Sequence, residues 1–157
     1  MTLPIYPVES IVPQRPPMIL IDEIVARQAE SIVALVTIQP GGLFFQPGRG
    51  VPSHVALEWM AQACAAFGGS EALDEGGAVK IGFLLGTRDF HATRSWFAEG
   101  EHLYVRALLE YRDGELANFA CEVADSLGGP SLARASLNVY QPRDASALLG
   151  SLTAPPT

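Results

Sequence analysis

Apolar positions follow two different rhythms along this chain, and the change of rhythm marks its organisation. Met18–Ala26 (MILIDEIVA) and Ser31–Ile38 (SIVALVTI) are short, aliphatic and β-branched. Such a pair, separated by Arg27–Glu30, predicts an antiparallel hairpin. Pro52–Phe67 is different, because HVALEWMAQACAAF is apolar almost all round and rich in good helix formers. Pro52 and Ser53 suit the start of a helix, and Gly68–Gly69 suit its end. A helix with so little polar surface must be enclosed by the rest of the fold. Val79–Phe90, His102–Tyr111, Leu116–Asp125 and Leu132–Tyr140 then read as four long strands. Arg112–Glu115 and Gly128–Pro130 are the turns between the later ones. Two strands, one buried helix and four more strands predict an α+β domain whose antiparallel sheet wraps the helix.

The flanking segments complete one domain over residues 1–143. Leu3–Pro17 is dense in proline and reads as a docking arm with at most one helical turn at Val8–Val12. Gln39–Val51 is rich in turn residues but carries Phe44 and Phe45, which are expected to pack along the edge of a pocket. Asp74–Gly77 reads as a loop. Residues 144–157, small or polar and ending near Pro155–Pro156, are expected to fray.

Composition narrows the function classes. Hydrophobic residues reach 48% and charged ones only 17%, against about 25% charged in an ordinary domain. This points to apolar surface buried beyond a single core, as in an oligomer. A net charge of −7 opposes binding to a phosphate backbone, so no nucleic-acid partner is expected. The longest charge-free run, Ser31–Gly48, is broken by Pro40, Gly41 and Gly42, so no membrane span is expected. The first basic residue is Arg15, behind three prolines, unlike the basic start of a secretory signal. Cys64 and Cys121 lie in apolar segments and read as two buried, reduced thiols, consistent with a cytoplasmic protein. No CxxC, HExxH or phosphate-binding glycine loop is present, so neither a metal nor a cofactor is expected.

Candidate chemistry lies on the apolar helix. His54, Glu58 and Gln62 are spaced i, i+4, i+8 and fall in one row on its surface. A carboxylate in such a helix is costly to bury unless it is paired, hydrogen-bonded or protonated. The row therefore reads as the floor of a polar pocket, with an exposed helix edge or a structural hydrogen bond as the alternative for Glu58. His54, in the first turn, has a solvent-facing structural role as its alternative.

Four collinear blocks carry a family resemblance. Val12–Val25 (VPQRPPMILIDEIV) resembles the PHRxPxLLxD opening of the (3R)-hydroxyacyl-[acyl-carrier-protein] dehydratases. Pro47–Ala63 (PGRGVPSHVALEWMAQA) resembles their loop and central helix. Ile81–Phe90 and Phe97–Leu109 resemble the strands that follow. The nearest branch is the divergent dehydratase-like group associated with aryl polyene biosynthesis. The resemblance implies the hotdog fold, an antiparallel sheet around one long helix, and dehydration of a 3-hydroxyacyl thioester in fatty-acid or polyene synthesis. It also implies a dimer, in which a loop histidine of one subunit meets a helix carboxylate of the other.

The acidic position matches Glu58 and the family glutamine matches Gln62. The loop histidine has no counterpart, because Phe45–Gln46–Pro47 stands in its place, and Gln14 replaces the histidine of the opening block. Glu58 is accordingly expected as the acid, with His54 or a histidine of a partner subunit as the base. Ser53, Gln62, Phe44, Phe45 and Gln46 are the expected substrate contacts, with backbone N–H groups near Ser53 and His54 facing the thioester oxygen. The expected partners are an acyl thioester on acyl carrier protein or coenzyme A and a second copy of the chain, with a hotdog heterodimer as the alternative. Arg15, Arg49, Arg88 and Arg94 are candidate carrier-protein contacts. An acyl thioesterase using Glu58, or a non-catalytic hotdog subunit that binds acyl chains, are the competing readings.

Overall fold

A computed structural model of the chain describes residues 3–79 and 82–141. The expected tail from residue 144 lies outside the described residues. Among the described residues, eight strands and one α-helix follow in the order β1 (Glu23–Gln28), β2 (Ser31–Thr37), β3 (Val51–Pro52), α1 (Ala56–Asp74), β4 (Phe83–Ala92), β5 (Trp96–Phe97), β6 (His102–Asp113), β7 (Leu116–Ala124) and β8 (Ala133–Tyr140). Single 3-10 turns occupy Val8–Ser10 and Ser53–Val55. Six strands form one sheet in the order β1-β2-β6-β7-β8-β4, and each neighbouring pair is antiparallel.

The sheet curls around α1. Strand alternation sends Ile32, Ala34 and Val36 of β2, Leu103, Val105 and Ala107 of β6, and Phe119, Cys121 and Val123 of β7 into the core. Trp59, Met60, Ala63, Ala66 and Phe67 of α1 meet them. Phe67 packs edge-on against Phe119 with ring centroids 5.4 Å apart, and Trp59 packs on Phe97 at 5.3 Å. Each such aromatic pair adds about 0.5–1.5 kcal/mol beyond the area it buries. The α+β class and the enclosed helix are thus as the sequence predicts. Among the described residues, no helix is long and apolar enough to cross a membrane.

Three differences from the sequence expectation have physical causes. The helix does not stop at Gly68–Gly69 but continues to Asp74. A β-carbon on Gly69 would lie 2.0 Å from the carbonyl oxygen of Ile11, so this glycine admits the N-terminal arm and does not end the helix. The first strand begins at Glu23, not at Met18, because the backbone at Met18 and Leu20 bonds the Gln62 side chain. The two-residue ribbon of β3 and β5, with Val51 opposite Phe97, was not expected, since a pair of residues carries no readable period. Gly50, at φ +101°, precedes this ribbon, and a β-carbon there would lie 2.0 Å from the Phe97 carbonyl oxygen.

The arm is fastened at the far end of the helix. Arg27 of β1 donates to both carboxylate oxygens of Asp74, and its Nη1 also donates to the Pro4 carbonyl at 2.9 Å. Tyr6 donates to Asp74 Oδ1 at 2.7 Å. Arg27 is almost wholly buried, so its charge depends on this pairing.

Candidate active site at the start of the central helix

Pro52, at φ −59°, brings the chain from β3 into the 3-10 turn that opens the helix. Glu58 follows in the first turn of α1 and is half-buried. Gln62, one turn further, is fully buried and uses its whole amide group. Its Oε1 accepts from the Leu20 N–H at 2.8 Å, and its Nε2 donates to the Met18 carbonyl at 2.7 Å and to Glu58 Oε1 at 3.1 Å. The i, i+4 row is therefore real between Glu58 and Gln62. Gln62 closes the arm onto the helix and holds one oxygen of the carboxylate, leaving Oε2 for other partners.

His54 is exposed, and no hydrogen bond joins it to Glu58. The Ser53 N–H, expected to face a thioester oxygen, instead donates to the Ser95 carbonyl at 2.8 Å. The ribbon of β3 and β5 carries the neighbouring backbone into this bond.

Phe44 and Phe45 line a groove of about 360 Å³ between the arm, the loop after β2 and the start of α1. Leu20, Val55 and Trp59 form its apolar wall, and Asp22 and Thr37 supply its polar groups. Gln46, Ser53, His54, Glu58 and Gln62 do not line it. Gln46 instead closes the loop, its N–H donating to the Gly50 carbonyl at 2.7 Å. Asp22 Oδ2 accepts from the Thr37 N–H at 2.6 Å, yet partial burial leaves its pKa raised above the ordinary value. Trp59 and Asp22 carry no sequence signal that sets them apart as site residues. In the sequence Trp59 is one more apolar helix position, and Asp22 one polar residue in a strand run.

Of the four arginines, Arg94 is engaged, donating to Glu101 Oε1 at 2.6 Å beneath the Phe97 ring. Arg49 stacks over Trp96, 5.4 Å from the ring centroid. Arg15 bonds the carbonyls of Val12 and Gln14, and Arg88 sits on the sheet in β4. Among the described residues, no group of His, Cys, Asp and Glu is arranged to hold a metal ion.

An antiparallel sheet curled around a single long helix, in this strand order, makes the molecule a hotdog protein. Family comparison then places it. The chain belongs to the ApeP-like family, described as ApeP dehydratase, which matches residues 6–150. This agrees with the aryl-polyene-associated branch that the sequence resembles. Among solved structures, the dehydratase heterocomplex ApeI:P from Xenorhabdus doucetiae is 26% identical, with a TM-score of 0.84 over 95% of this chain and 99% of that one. A hypothetical thioesterase from Streptococcus pneumoniae, solved with coenzyme A, is 8% identical with a TM-score of 0.60, over 76% of this chain and 84% of that one. The uncharacterised protein PH1136 from Pyrococcus horikoshii is 11% identical with a TM-score of 0.64, over 88% of this chain and 96% of that one. At those identities the last two share the fold alone. No curated protein matches the sequence.

Proposed function

We propose that this chain is the carboxylate-bearing subunit of a dehydratase acting on (3R)-3-hydroxyacyl thioesters carried by acyl carrier protein or coenzyme A. Glu58, held through Oε1 by Gln62, carries the reading. Dehydration needs a base to take the C2 proton and an acid to protonate the departing C3 hydroxyl. With Oε1 bonded by Gln62, the transferable proton of Glu58 sits on Oε2. It passes to the hydroxyl as the C3–O bond breaks, and water leaves. The electrons of the C2–H bond become the new double bond, and the base keeps the C2 proton.

The base is a histidine supplied by a partner hotdog subunit. His54 is exposed and unbonded to Glu58, and the loop position where the resemblance requires a histidine holds Phe45–Gln46–Pro47. The similar ApeI:P structure is a dehydratase heterocomplex, which supports a partner subunit. The side of α1 away from the core supports it further. Leu57, Ala61, Ala65, Gly68 and Ala72 recur there at three- and four-residue spacing and are only half-buried in the single chain. At the free edge of the sheet, β4 exposes Leu84 and Leu85. A second hotdog subunit against this edge covers both surfaces and brings its loop beside Glu58.

The deciding experiment supplies the protein, alone and with a candidate hotdog partner, with a 3-hydroxyacyl carrier-protein thioester. A 2-enoyl thioester formed only with the partner supports the reading. Full activity of the chain alone, abolished by His54→Ala, overturns the partner's role. Free acid and thiol as products mean a thioesterase.

A further inference from the structure

We propose that Cys64 and Cys121 form a redox pair that closes to a reversible disulfide, fastening α1 to the middle of the sheet. These are the only two cysteines in the chain. They lie 57 residues apart, on the helix and on β7, yet their sulfurs meet at 3.6 Å in the core. Both are free thiols and buried. A disulfide needs its sulfurs at about 2.05 Å, so closure requires a movement of about 1.5 Å. The elements joined are the helix that carries Glu58 and a strand flanked on both sides, by β6 and β8. The bond would therefore tie the central helix to an interior strand of the sheet.

Access for a small oxidant is present. Cys64 lines a cavity of about 60 Å³ with Phe67, Ala117, Phe119 and Val139, between the helix and the ends of β7 and β8. That space admits a molecule the size of hydrogen peroxide. One sulfur, as thiolate, attacks a peroxide oxygen; the O–O bond breaks, leaving a sulfenic acid, and the released hydroxide takes up a proton to become water. The second sulfur then attacks the sulfenic sulfur and expels its hydroxyl as a second water. Two thiols and one peroxide thus give one disulfide and two waters. Burial, together with its hydrogen bond with Cys121, pushes the Cys64 thiol well above the usual thiol range. Closure is therefore slow at neutral pH, as suits a bond that records sustained oxidation.

The test needs no knowledge of the reaction catalysed. The reduced full-length protein is incubated with hydrogen peroxide, then unfolded in denaturant, alkylated and measured by intact mass spectrometry, and digested. We expect a loss of about 2 Da, no alkylation, a cross-linked peptide pair containing both cysteines, and recovery of both thiols with dithiothreitol. The oxidised form should melt several degrees higher, because the new link closes a long loop in the unfolded chain. Oxygen addition without a cross-link, or two thiols still alkylated on unfolding after prolonged oxidation of the folded protein, overturns the proposal. Cys121→Ala should never lose the two hydrogens. If that variant does not fold by circular dichroism, the wild-type mass and peptide map still decide.

Discussion

Gln62 donates a hydrogen bond to Glu58 across one turn of the central helix, while the rest of its amide holds the backbone at Met18 and Leu20. One buried side chain thus orients the candidate acid and anchors the segment leading into the first strand. That arrangement makes the site sensitive to changes that touch no substrate.

Gln62→Ala leaves the Leu20 N–H and the Met18 carbonyl without their partner and opens a small cavity. Each unsatisfied buried group costs about 1–3 kcal/mol. Urea denaturation should show a loss of about 2–4 kcal/mol, and an unchanged midpoint would show that water replaces the amide freely. Gln62→Glu should be at least as harmful, since it sets a second carboxylate beside Glu58 and faces the Met18 carbonyl with an acceptor.

Glu58→Gln keeps the shape of the side chain but removes the transferable proton. Dehydration, assayed with the partner subunit present, should fall about 10²–10⁴-fold, while the melting temperature stays close to wild type. His54→Ala should leave the rate within about threefold, in keeping with an exposed side chain distant from any general-base role. A large loss in His54→Ala alongside a normal Glu58→Gln would reverse the two assignments.

Gly69→Ala separates packing from helix propensity. In a free helix this change stabilises by about 1 kcal/mol. Here the new β-carbon meets the Ile11 carbonyl oxygen at 2.0 Å, so the arm must move and the protein should lose about 1–3 kcal/mol. Gly68→Ala is the control, because its nearest neighbours are the terminal atoms of the Gln141 side chain, from 3.1 Å. It should be close to neutral in the same denaturation experiment.

Acid should loosen the arm. Hydrogen bonds from Arg27 and then Tyr6 hold the Asp74 pKa below its ordinary 3.8. The stability this carboxylate contributes is therefore complete above pH 3.8 and is lost as the pH falls through its lowered value in the folded state. Asp74→Asn should melt below wild type at neutral pH, and the gap should narrow as the pH falls below that point. A gap that widens on acidification would show that the Arg27 contact does not govern the titration.

The architecture was legible because it rests on periodicity. Alternation in Ser31–Ile38, and the helix with apolar residues on nearly every side, required a sheet wrapped around an enclosed helix whatever the loops did. Turn positions followed from Gly114 and Gly128, both of which adopt positive φ. The helix end was not legible, because Gly68–Gly69 carry the same letters whether they stop a helix or admit another segment against it. Only the approach of Ile11 separates the two.

The site divides along the same line. Spacing along one helix places Glu58 and Gln62 together, because residues four apart share a face and the intervening geometry is fixed by the backbone. His54 has that spacing too, but it lies in the 3-10 turn ahead of the helix and faces solvent. The Ser53 N–H is committed to Ser95, and the two cysteines meet across 57 residues of chain. The sequence by itself determined the fold class and the helix face on which the carboxylate sits, since both follow from local, repeating geometry. Tertiary structure alone decided what each polar group bonds, because those partners come from distant segments whose approach no local pattern encodes.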